Sequence, residues 1–256
     1  MLKKFSYVVL IIFCLLITGC SNNLKYINSI EDLEKSKIGV YTGSEYDIIL
    51  KNNIKSAVPA YYNSYSDEIS ALKSGKIDAF LTDEPLAKEI LKNNDGLKIL
   101  NEKLTIDSYA FAINPQKITL KEEIDEIILE MKNDGTLSKL EEKWFGDAEE
   151  KKELEEYNYK YTETIKFATV SGSAPFAYMK NNKIVGYDID VINYIGYKLG
   201  YKIEIVEMAF EGMIAALVSG KVDMAGCSII VTEERQKAVL FSEPNYTGGI
   251  VLVTRQ

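Results

Sequence analysis

The chain has 256 residues, 46% of them apolar and 27% charged, enough for one or two domains with a buried core. Its formal charge of −8 argues against nucleic acid as a partner, because phosphates need a basic face. It contains no histidine, which removes Ser-His catalysis and the commonest zinc ligand, and no metal or cofactor is expected.

Residues 1–19 carry Lys3 and Lys4 and then an apolar run from Tyr7 to Ile17, too short to span a bilayer comfortably, which predicts an export signal. The run ends in Leu16-Ile17-Thr18-Gly19-Cys20, which resembles the bacterial lipobox. That resemblance implies that Cys20 becomes a lipid-modified N-terminus held at the membrane surface, outside the cytoplasm. The alternative is a chance cysteine beside an ordinary cleavage site. Of the 3 cysteines, Cys14 is expected to leave with the leader and Cys20 to be lipidated, so Cys227 stands alone without a disulfide framework. Residues 20–27 then form a tether.

The first folded unit is predicted to alternate strand and helix. Lys37 to Tyr41 reads as a strand, Glu45 to Asn52 as a helix, Ala57 to Tyr62 as a strand, and Ser66 to Leu72 as a helix stopped at Gly75. Ile77 to Leu81 suits a buried parallel strand, and Pro85 opens a helix to about Asn93. Thr105 to Ile113 is extended, and two helices follow over Leu120 to Asn133 and Leu137 to Trp144. Residues 147–162 turn acidic and poor in aliphatics and read as a linker, with a helical start an option. The second unit has expected strands at 167–170, 202–206, 222–225 and 249–254, and helices at 188–199 and 210–218. This alternation defines an α/β class.

One octapeptide occurs twice, as ALKSGKID from Ala71 to Asp78 and as ALVSGKVD from Ala216 to Asp223. Upstream of each lies a second related pair, KIGVYTGS from Lys37 and KFATVSGS from Lys166. Each octapeptide ends a helix and feeds a strand, so the two copies predict two similar α/β lobes facing each other across a cleft. Duplicated structure without a site is the alternative.

Three places look chemical, and spacing leaves each open. Asp83 and Glu84 follow a buried strand at the kind of switch point where α/β sheets place ligand groups, yet Asp83 is equally suited to cap the helix opened by Pro85. Arg235, after Thr232-Glu233-Glu234, sits at a helix start and fits a solvated surface arginine as well. Phe210 precedes Glu211-Gly212 at another helix start, where an aromatic is more often core.

Together these stretches resemble a family. Residues 174–254, with APFAYMKNNKIVGYDIDVINYIGYKLGY, ALVSGKVDMAGCSIIVTEERQKAVLFSEPNY and TGGIVLV, resemble the first half of the polar amino-acid family of bacterial extracellular solute-binding proteins. Residues 30–146, with SIEDLEKSKIGVYTGS, ALKSGKIDAFLTDEPLA and MKNDGTLSKLEEKWFG, resemble its second half. The resemblance implies a two-lobed periplasmic-binding-protein-like fold with a hinge, circularly permuted because the halves stand in reversed order. The minor lobe is expected over 28–107 and the major lobe over 112–146 and 163–256, with 147–162 joining the old ends. Both new ends are expected at the first crossover between the lobes.

The resemblance also implies a site. Arg235 would clamp a ligand carboxylate and Asp83, from the other lobe, the ammonium. Ser228 on one lobe, with Gly43, Ser44 and the N–H of Glu45 on the other, would add donors, Phe210 would pack on the ligand side chain, and Ser173 would also belong to the ligand-binding set. Val170 and Ser173 stand where relatives for basic ligands tend to carry an aspartate and an aromatic, so a polar or neutral free α-amino acid is favoured. Glu45 replaces a threonine and is expected to point to solvent. The implied function is a monomeric, non-catalytic lipoprotein handing its ligand to an ABC transporter permease. The alternatives are a sensory amino-acid-binding module and a cyclohexadienyl-dehydratase-like enzyme on the same fold.

Overall fold

The computed structural model describes residues 25–100, 102–148, 152–157 and 163–256. The expected export signal and Cys20 lie outside the described residues. The elements run in order β1 (Lys37–Tyr41), α1 (Tyr46–Asn53), β2 (Val58–Tyr62), α2 (Tyr65–Lys73), β3 (Ala79–Asp83), α3 (Glu84–Lys92) and β4 (Leu97–Ile99). Then come β5 (Asp107–Tyr109), β6 (Ala112–Ile113), α4 (Ile118–Asn133), α5 (Thr136–Phe145) and β7 (Glu163–Thr169). A small antiparallel sheet of β8 (Gly172–Ser173), β9 (Ala177–Lys180) and β10 (Lys183–Val185) follows, a feature the sequence reading did not contain. The chain closes with α6 (Tyr187–Leu199), β11 (Tyr201–Glu207), α7 (Met213–Val218), β12 (Met224–Ala225), α8 (Glu233–Gln236), β13 (Leu240–Phe241), β14 (Tyr246–Gly248) and β15 (Ile250–Arg255).

Local chemistry explains the main boundaries. Ser64 caps α2 by accepting from the Asp67 N–H at 3.1 Å, and Pro85 sits in the first turn of α3, where its missing N–H costs nothing. Gly75 and Gly220, both at φ +73°, provide the left-handed residue that ends the two repeat helices. In both copies the next lysine N–H returns to the repeat's first alanine carbonyl, Lys76 to Ala71 and Lys221 to Ala216, each at 2.9 Å.

Two five-stranded sheets result, ordered β2-β1-β3-β15-β4 and β11-β7-β12-β6-β13. They share one plan: three parallel strands, then an antiparallel strand, then an edge strand antiparallel to that one. In each sheet the antiparallel strand belongs to the chain segment arriving from the other lobe. The first lobe has its own core around Phe80, Leu81, Leu72 and Leu252, all buried. The second sheet is covered on one face by α4, α5 and α6 around Trp144, Phe167 and Ile192, and on the other by α7 around Met213 and Leu217.

Three expectations need correction. The stretch 163–256 does not lie wholly in the second lobe, because β15 enters the first sheet between β3 and β4, where its Val-Leu-Val run is buried on both faces. The two ends do not meet at the hinge. Asn28 accepts from Lys98 of the edge strand β4 at 2.7 Å, and Thr254 pairs with Lys98 from the neighbouring β15, so both ends of the described chain are held by β4 of the first lobe. The crossings β5 and β14 pair with each other antiparallel and are both continuous.

The described residues of the linker are anchored to both lobes. Asp147 pairs with Lys92 at 2.9 Å, Lys152 lies 3.7 Å from Glu89, and Tyr157 stacks on Tyr197 with centroids 4.7 Å apart. It thus touches α3 of the first lobe and α6 of the second. Residues 147–148 and 152–157 carry no helix.

Candidate functional site

The cleft between the lobes is nearly closed, with a cavity volume of about 20 Å³, and is lined by residues of both. Tyr41, Ser44, Glu45, Tyr46 and Tyr65 come from the first lobe. Ser173, Phe210, Cys227, Ser228, Ile230 and Arg235 come from the second.

Arg235 is placed by a short helix whose cap, Thr232, accepts from the Arg235 N–H at 3.2 Å. Its guanidinium is 9% exposed, so it is a cleft group and not a surface arginine. Nη1 donates to the Ile230 carbonyl at 2.9 Å and Nη2 to the Gly43 carbonyl of the other lobe at 3.1 Å. Nε lies 3.2 Å from Glu45 Oε1. The guanidinium also covers the Phe210 ring, 5.7 Å from its centroid. Burial lowers the Arg235 pKa, and the Glu45 carboxylate opposes that shift.

Glu45 therefore does not point to solvent as expected. Its side chain is 17% exposed and reaches across the cleft to Arg235, because that cation is the nearest compensation for a half-buried carboxylate. The lobes approach so closely here that a Cβ on Gly43, at φ +82°, would lie 2.7 Å from Glu211 Cα.

Asp83 is buried, at 1% exposed, and although it stands at the N-cap position of α3 its side chain makes no cap, so the capping reading does not hold. Nor does it face Arg235. It lies behind the cleft wall and accepts three hydroxyls: Tyr109 at 2.6 Å on Oδ1, and Tyr46 at 3.1 Å and Ser228 at 2.8 Å on Oδ2. These donors come from the hinge, the first lobe and the second lobe, so a single carboxylate ties together all three parts. Burial pushes its pKa up to about 6, against the pull of the three hydroxyls.

Ser228 holds a left-handed conformation at φ +48°, a strained setting for a residue other than glycine. Its N–H is not available to a ligand as expected, because it donates to Asp188 Oδ2 at 2.9 Å. Asp188 also accepts from Asn245 at 3.2 Å and is pushed up to about 7, chiefly by burial and further by the charge of Asp83. Ser44 turns its hydroxyl onto the Tyr41 carbonyl at 2.6 Å, and Ser173 lines the wall beside Cys227. The Cys227 thiol is buried and pushed up to about 12, which leaves it unreactive.

Sequence reasoning missed the tyrosines. Tyr41 and Tyr65 stack at 4.7 Å, and Phe210 meets Tyr41 edge-on at 6.1 Å, making one aromatic wall from both lobes. Tyr41 carried a signal, since it stands in the first repeat where Val170 stands in the second; Tyr46, Tyr65 and Tyr109 carried none. Among the described residues no group of acids and cysteines is placed to hold a metal, and no helix is long and apolar enough to cross a membrane.

Residues 165–256 match the family of bacterial extracellular solute-binding proteins, family 3. A probable histidine-binding protein of Campylobacter jejuni is 40% identical over 85 residues, 33% of each chain. The L-cystine-binding protein TcyJ of Escherichia coli is 32% identical over 121 residues, 47% of this chain and 46% of that one. The ABC transporter arginine-binding protein 1 of the same species is 29% identical over 119 residues, 44% and 49% of the two chains. The chain thus spans between a third and half the length of these relatives. A ligand-binding component of an ABC-type import system from Staphylococcus aureus aligns over 86% of this chain and 65% of that one, with 17% identity and a TM-score of 0.48. The relation to amino-acid solute-binding proteins expected from the motifs is borne out.

Proposed function

We propose that this protein is a non-catalytic receptor that captures a free α-amino acid between its lobes and delivers it to an ABC importer. The observation that carries the reading is a buried arginine in the interlobe cleft with, behind the Ser228 and Tyr46 hydroxyls of the cleft wall, a buried aspartate of the other lobe, the two charges that a zwitterion needs. A ligand carboxylate suits the planar fork of Arg235, which must then release Glu45. A ligand ammonium entering beside Ser228 and Tyr46 replaces hydroxyl donors on Asp83. Because those donors belong to both lobes and to β5, occupancy couples to hinge closure about the paired crossings. The names of the relatives, which bind histidine, cystine or arginine, support the ligand class.

We further read the chain as a circular permutant whose lobes form one monomer, supported by the matching plans of the two sheets and by residues 28 and 254 both being held by Lys98 of β4. The lipobox reading supports attachment to the outer face of the cell membrane through Cys20. Mass spectrometry of the membrane-extracted protein should find a diacylglycerol-modified Cys20 at the N-terminus, and an unmodified or internal Cys20 ends that claim. A thermal-shift screen of the twenty amino acids tests the function itself, and a folded protein shifted by none of them would refute it.

A further inference from the structure

Among the described residues lining the cleft, Arg235 is the one cation and Glu45 the one acid, and they neutralise each other across the lobes at 3.2 Å. Both side chains are mostly buried, at 9% and 17% exposed. A carboxylate that lands on Arg235 therefore evicts another carboxylate, and the evicted one stays in a closed cleft where an unpaired charge is costly. On the reading above the α-ammonium goes to Asp83, behind Ser228, and so does not become its new partner. The displaced charge needs a second cation, and only the ligand side chain can bring one. The wall beside Glu45 suits such a side chain: the stacked Tyr41 and Tyr65, with Phe210 edge-on, offer apolar surface to an alkyl stem and π-faces to a cation.

Resting on the amino-acid reading above, we propose that Glu45 is a specificity-determining residue which exchanges its partner on binding, and that the ligand is an α-amino acid with a cationic side chain. The exchange runs from Arg235–Glu45 to two pairs, Arg235 with the ligand carboxylate and Glu45 with the side-chain cation, so charge balances before and after. This reverses the preference for neutral side chains read from Val170 and Ser173.

The test compares L-lysine with L-norleucine, which has the same stem without the terminal ammonium, by calorimetry on the purified full chain and on Glu45→Gln. The wild type should bind lysine tighter by about tenfold or more, the cost of leaving a buried charge unpaired. In Glu45→Gln that preference should vanish, while norleucine binds as well as before or better because Arg235 is already free. Norleucine binding the wild type as tightly as lysine, or Glu45→Gln keeping the lysine preference, overturns the inference and leaves the amino-acid reading standing. No binding of any amino acid by the folded protein overturns both. Should the variant fail to fold, the wild-type ratio decides alone.

Discussion

The two copies of the octapeptide build the same joint twice, and the residues five positions beyond each copy diverge completely. In both, the closing aspartate clasps the first strand of its lobe: Asp78 accepts from the Lys37 N–H at 3.1 Å, and Asp223 from the Lys166 N–H at 2.7 Å. From there the first lobe continues as a five-residue buried strand ending in Asp83. The second lobe manages two strand residues, then Gly226, whose missing Cβ makes room for Phe167 and Phe111, then Cys227 and the left-handed Ser228. Counting from the repeat, Asp83 and Ser228 are equivalent positions, and they hydrogen-bond to each other at 2.8 Å. A repeated scaffold thus delivers an acceptor from one side and a donor from the other, so the repeat fixes where the lobes meet and the divergent residues fix what meets there.

The sharpest way to break that equivalence is to truncate each partner. Asp83→Ala should weaken binding of the best amino acid by about 30-fold to several thousand-fold, since it removes one member of a buried charge pair and strands three hydroxyls. Ser228→Ala, which loses one neutral donor, should cost only about 0.5–1.5 kcal/mol, or a few-fold to tenfold. Calorimetry that finds the two variants equal would show that the carboxylate has no special role.

A second contrast lies in the repeat helices, where Glu68 occupies the position that Met213 occupies in the other copy, both buried. Glu68 has no hydrogen-bond partner on either oxygen, and burial raises its pKa well above the usual carboxylate range. A raised folded-state pKa means stability that is present below the unfolded value of 4.5 and lost as pH climbs toward the folded one. Glu68→Met should therefore raise the melting temperature at pH 7, with the gain shrinking toward pH 4. Asp83 and Asp188 shift in the same direction, to about 6 and about 7, so some slope should survive in the variant. Thermal melts giving the same gain at pH 4 and pH 7 would exclude titration of Glu68 as the cause.

Smaller effects belong to the glycines. Gly226→Ala places a Cβ 2.5 Å from Phe167 Cζ and 2.7 Å from Phe111 Cδ1, and overpacking of this kind costs about 1–3 kcal/mol in chemical denaturation. Gly75→Ala and Gly220→Ala, both at φ +73°, should each cost about 1–2 kcal/mol and agree closely with one another. A large inequality between that last pair would mean that the two joints are not equivalent after all.

Local signals in the sequence determined the α/β class, most of the helices and strands and the two-lobe plan: hydrophobic periodicity, capping residues, glycines at positive φ, and a repeat long enough to see. Arg235, Phe210 and Ser228 were expected in the cleft only through the family resemblance, since spacing left the first two open and did not single out the third. Only the tertiary structure decided that β15 crosses into the first sheet, that Asp83 stands behind a shell of hydroxyls, and that Glu45 reaches Arg235. The physical reason is that a strand chooses its sheet, and a buried charge its partner, by which groups lie within a few ångströms after folding. Gly43 and Arg235 meet at 3.1 Å while lying 192 positions apart, and no local pattern encodes a distance of that kind.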